Sequence, residues 1–101
     1  MQIHHLASRE DWERRTSESY EPAGLAVEGF IHLCTREQLA GVVERYYQGR
    51  DDLILLTVDS SLLGEALVWE DSVGVGEAFP HLYGPLSPAA IVTAAPFEQQ
   101  A

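Results

Sequence analysis

The second half of the chain holds four runs with strand character, Leu53–Val58, Leu67–Glu70, Phe79–Tyr83 and Ile91–Ala95, and no helix-length segment separates any two of them. Parallel neighbours need a crossover of a dozen or more residues, usually helical, so these runs are committed to antiparallel pairing. An alternating α/β fold is thereby excluded, and the chain falls in the α+β class. At 101 residues there is room for one core, so residues 1–101 are read as a single domain. The apolar share, 46%, is large enough to fill that core without cross-links.

The helical signals lie in the first half. Met1–Leu6 reads as a first strand, and Ser8 before Arg9-Glu10-Asp11 reads as a helix cap followed by an acidic first turn. A helix over Arg9–Ser17 follows, with Trp12 turned to the core. Residues 18–29, with Pro22, Gly24 and Gly29, read as an irregular loop. Phe30–Cys34 reads as a strand that puts Phe30, His32 and Cys34 on one face. Thr35-Arg36-Glu37-Gln38 is a capping box, and Leu39, Val42, Val43, Tyr46 and Tyr47 form one apolar helical stripe ending before Gly49. Tyrosines on such a stripe are expected to pack in the core. Leu53–Val58, apolar on both faces apart from Thr57, has the pattern of a central strand. Asp59–Gly64 reads as a turn, Asp71–Gly76 as a flexible connection, and Ser87-Pro88 as the start of one helical turn. The expected architecture is a small α+β domain with a curved, mostly antiparallel sheet and two helices.

Charge narrows the function classes. There are 16 acidic and 6 basic residues, a net charge of −10, and every base is an arginine in the first half of the chain. Such a surface repels phosphate backbones and anionic lipid, so nucleic-acid and membrane partners are not expected. Cys34 is the only cysteine, which excludes an internal disulfide and fits a reducing compartment. With no basic leader-like start and no long apolar run, the expected location is the cytoplasm.

Four histidines supply groups that titrate near neutrality. His5 and His32 lie in strands and His81 in the extended segment between Pro80 and Gly84, where side-chain directions are fixed. Glu70, beside Trp69, and Glu77, after Gly76, are carboxylates that can project into a cleft beside His81. Each of these groups can equally satisfy a backbone group or face solvent. His32 and Cys34 share a strand face, so a metal site completed by His5 or His81 is conceivable, as is a Cys34 nucleophile beside the following helix start.

His5-Leu6, Trp12, Glu28-Gly29-Phe30-Ile31-His32, Thr35, Gln38, Arg45-Tyr46-Tyr47, Trp69-Glu70, Gly76-Glu77 and Phe79-Pro80-His81-Leu82-Tyr83-Gly84-Pro85-Leu86 together resemble the bacterial domain of unknown function 952 family, from about residue 3 to about residue 97. A more distant resemblance, a histidine on the first strand followed by Gly-Phe-Ile-His-Leu-Cys-Thr, is to the ADP-ribosyltransferase superfamily. It implies an ADP-ribosyltransferase-like fold, NAD as substrate, His5 holding the nicotinamide ribose and His32 beside the ligand. For the late-strand glutamate of that superfamily, Glu77, Glu70 and His81 compete. The candidate catalytic residues are therefore His5, His32 and Glu77, with Glu70, His81, Tyr83, Thr35 and Arg36 as candidate substrate contacts.

Three classes of function follow as expectations. They are an ADP-ribosyltransferase-like enzyme using NAD or a related nucleotide, a non-catalytic module for a nucleotide-like small molecule, and a histidine-based metal-dependent enzyme. All depend on the histidines sharing one hollow.

Overall fold

The computed structural model describes residues 1–71, 74 and 76–98. In chain order its elements are β1 (Gln2–Ser8), α1 (Arg9–Glu13), α2 (Ala23–Glu28), β2 (Ile31–His32), α3 (Leu39–Val42, continued by a π-helical turn over Val43–Tyr47), β3 (Leu53–Asp59), β4 (Leu67–Glu70), β5 (Phe79–Leu82) and β6 (Ile91–Pro96). Short 3₁₀ turns at Ser60–Leu62 and Gly64–Ala66 join β3 to β4, and another at Pro88–Ala90, capped by Ser87, leads into β6.

Every strand pairing among these elements is antiparallel, as the absence of crossover helices requires. The strands form two three-stranded sheets, β1-β3-β6 and β2-β5-β4, where one curved sheet was expected. The reason lies in the segment 30–34, which changes partners midway: Ile31 and His32 pair with Leu82 and His81, whereas Cys34 bridges to His4 of β1. That bridge ties the sheets together through His4 N–H to Cys34 C=O at 2.7 Å and Cys34 N–H to His4 C=O at 2.8 Å. β3 is the central strand of its sheet, and its both-sided apolar pattern is explained by burial of Leu53, Ile54, Leu56 and Val58. Ile3, Leu56 and Val58 from one sheet and Ile31 and Leu82 from the other join Tyr20 and Leu86 in a single buried cluster.

The helices depart from expectation in three ways. α1 stops at Glu13, although the Ser8 cap forms as read, its Oγ accepting the Asp11 N–H at 3.0 Å. The supposed loop contains α2, entered through Pro22 and closed by Gly29 in the left-handed region (φ 86°), whose N–H donates to Leu25 C=O at 2.8 Å. Proline before and glycine after a short run are themselves helix boundary marks. The capping box of Thr35 and Gln38 is made in both directions, at 3.1 and 2.9 Å, yet no residue of α3 or its π turn is fully buried. The tyrosine stripe therefore packs outside the core. The arrangement supports a small α+β domain with antiparallel sheets and few helices; an ADP-ribosyltransferase-like assignment is not supported.

Candidate functional site

Strand alternation builds the site. In β5, Pro80 and Leu82 turn inward, while Phe79 and His81, followed by Tyr83, take the opposite direction. Registers His32↔His81, Val68↔His81 and Glu70↔Phe79 put His32, Glu70, Phe79 and His81 on the same face of the second sheet. His32 and His81 are directly opposite, and their rings meet edge to face with centroids 5.2 Å apart.

Each imidazole is held by a carboxylate. His81, 2% exposed, donates from Nδ1 to Glu70 at 2.9 Å, and the same Glu70 oxygen accepts the Tyr83 hydroxyl. The Tyr83 hydrogen bond first, and His81 second, hold the Glu70 carboxyl below its ordinary value, while the Glu70 carboxylate pushes Tyr83 up. His81 lines the cleft, and its Nε2 has no hydrogen-bond partner among the described residues. The more exposed His32 directs Nε2 at Glu28, at 3.0 and 3.1 Å from the two carboxylate oxygens. Phe30 stacks on His81 at a centroid distance of 4.2 Å and meets His32 at 4.8 Å, so one aromatic ring buttresses both.

Of these groups, Glu28, His32 and His81 line a cleft of about 410 Å³, whose other walls include His4 and Leu6 of β1 and Val42, Tyr46 and Tyr47 of α3 and its π turn; Glu70, Tyr83 and Phe30 stand behind the histidines and outside that lining. That volume lies within the range of small-molecule sites, about 300–1,000 Å³. The apolar stripe of α3 thus serves as cleft wall. His4 went unsingled in the sequence, although the period-2 rule separates it from His5: it faces the cleft side, its Nδ1 3.2 Å from Thr57 Oγ1. Burial, the largest influence, lowers the His4 pKa.

Of the remaining candidates only Cys34 lines this cleft. His5, 6% exposed, borders a smaller hollow of about 170 Å³ with both nitrogens used: Nδ1–H donates to His32 C=O at 2.7 Å and Nε2 accepts the Tyr20 hydroxyl at 2.8 Å. Burial drives its pKa down to about 4, so it is neutral near pH 7. Glu77 is exposed and accepts Gln38 Nε2–H at 3.1 Å, outside the cleft lining. Thr35 is occupied with its capping box, and Arg36 lies close enough for its charge to act on His4. Cys34 is buried and its thiol is pushed up to about 12 by burial, the opposite of what the conceivable nucleophile needs. Among the described residues no three His, Cys, Asp or Glu side chains converge to hold a metal ion, so His5, His32, His81 and Cys34 do not form the conceived metal site. The connection over 71–76 lies partly outside the described residues.

Fold and cleft together define a small α+β domain carrying two carboxylate-tethered histidines on an aromatic wall. Residues 6–94 match the family described as Protein of unknown function (DUF952), and the chain belongs to that family. The chain is also similar to protein CC0527 from Caulobacter crescentus, a structural genomics target. Its crystal structure matches with 35% identity over 100% of this chain and 90% of that one, at a TM-score of 0.88. Its solution NMR structure matches with 35% identity over 99% and 87% of the two chains, at a TM-score of 0.79. No curated protein matches.

Proposed function

We propose that the cleft binds a small planar ligand of nucleotide-like class, with His81, aimed by Glu70, as the group that hydrogen-bonds it and exchanges a proton with it. The observation that carries this is the His81 ring itself: Nδ1–H is fixed by a carboxylate, while Nε2 has no protein partner and the ring borders an aromatic-walled cleft. A carboxylate on one imidazole nitrogen sets the tautomer and leaves the other nitrogen as the working acceptor. Tyr46, Tyr47 and Phe79 supply flat surfaces suited to a planar body. NAD, the substrate implied by the ADP-ribosyltransferase resemblance, belongs to this ligand class. As His5 is placed, holding a ribose would require it to give up its bond to Tyr20 or to His32.

The test is thermal unfolding with AMP, nicotinamide and NAD. A ligand held only by the native state at ten times its Kd stabilises by about 1.4 kcal/mol. We expect stabilisation of the wild type and of Glu77→Gln, and its loss in His81→Ala. Absence of any shift at millimolar concentration, or an equal shift in His81→Ala, would overturn the proposal. Nicotinamide release during incubation with NAD then separates an enzyme from a binding module.

A further inference from the structure

We infer that Arg45 takes an anionic oxygen group of the ligand, phosphate or carboxylate, at the mouth of the cleft, so that the ligand is a planar body carrying such a group. The inference rests on the proposed ligand cleft and specifies its chemistry. Arg45 sits in the π-helical turn that also supplies Tyr46 and Tyr47 to the cleft wall. Its guanidinium carbon lies 6.0 Å from the Tyr46 ring centroid and 5.9 Å from that of Phe79, and both rings line the cleft. Arg45 does not itself line the hollow that His81 borders, but its guanidinium stands beside two rings that do.

Its guanidinium is unpaired among the described residues, as are those of Arg9 and Arg36, but of these three only Arg45 stands beside aromatic rings of the cleft. Acids outnumber bases 16 to 6, and three of the other five arginines are engaged: Arg14 by Asp11, Arg50 by Asp52 at 2.9 and 2.7 Å, and Arg15 by the Trp12 carbonyl at 2.7 Å. The Arg45 guanidinium makes no ion pair or hydrogen bond among the described residues. With Glu28 and Glu70 beside the histidines and a net charge of −10, an anionic ligand would be repelled unless a local cation received it. A guanidinium fork matches the oxygens of phosphate or carboxylate, and aromatic flanks restrict its motion without neutralising it.

Matched pairs test this. AMP against adenosine probes phosphate, and nicotinate against nicotinamide probes carboxylate, each titrated into wild type, Arg45→Gln and Arg45→Lys while the ring signals of His32 and His81 are followed. The expected result is that the wild type prefers the anionic member of at least one pair by roughly tenfold. The preference should weaken with salt, be lost in Arg45→Gln, and be partly retained in Arg45→Lys. Equal affinity within both pairs, or a preference surviving in Arg45→Gln, overturns the role of Arg45 while the histidine signals still report an occupied cleft. Failure of all four compounds to move His32 or His81 overturns the cleft proposal together with this one.

Discussion

At the residue scale, neighbouring histidines on one strand have separate duties. His4 borders the cleft, whereas His5 is locked between the His32 carbonyl and the Tyr20 hydroxyl and joins the first strand to two distant segments. A buried neutral histidine makes stability depend on pH. The folded pKa is near 4 and the ordinary value 6.5, so between these values the unfolded chain binds the proton more readily. Stability is full above pH 6.5 and falls as pH drops toward 4, with about 2 kcal/mol lost by pH 5. Denaturant unfolding at pH 7 and pH 5 should show this loss in the wild type and a much smaller one in His5→Gln. An equal loss in both proteins would remove His5 as its source. His4, whose pKa burial also lowers, adds a loss in the same window that His5→Gln leaves in place, whereas Asp52 and Asp59, held below the ordinary carboxyl value by hydrogen bonds, lose stabilisation only below about pH 4, outside most of it. In the sequence, the role of His5 was not legible, because Tyr20 lies in a segment with no periodic signal and only folding brings its hydroxyl to the ring.

At the element scale, alternation was the most readable signal. Phe79-Pro80-His81-Leu82 and Phe30–His32 each declare one face toward the core and one toward a site, and register then makes His32 and His81 neighbours. The capping box at Thr35 was equally readable, since its two hydrogen bonds are local. α2 was not, because Pro22 and Gly29 signal a turn as readily as helix boundaries when no polar cap stands between them. Gly29 nevertheless does a specific job: its left-handed conformation ends α2 where Glu28 reaches back to His32. Gly29→Ala should cost about 1 kcal/mol in denaturant unfolding, because a Cβ disfavours that conformation. An unchanged midpoint would show that the helix end tolerates another backbone geometry.

For the whole molecule, the cleft exists because the two small sheets meet at the His4–Cys34 bridge and α3 with its π turn closes the third side. The sequence showed the stripe on α3 but could not show which surface it would cover. A stripe that packs on a core and one that walls a cleft have the same periodicity. Nor could it choose among Glu70, Glu77 and His81, or single out Glu28. Their separation depends on the β4–β5 register, the reach of Gln38 and the end of α2, none of which is a local property. Among the described residues no helix is long and apolar enough to cross a membrane.

The most direct measurement is a titration of AMP into protein labelled with ¹⁵N in its histidine rings. The account requires the His32 and His81 ring signals to move together and saturate, while the His5 ring, with both nitrogens already committed, stays still. Saturable movement of His5 with His32 and His81 unmoved, or no movement of any ring at millimolar AMP and, in parallel titrations, adenosine, nicotinate and nicotinamide, would contradict it.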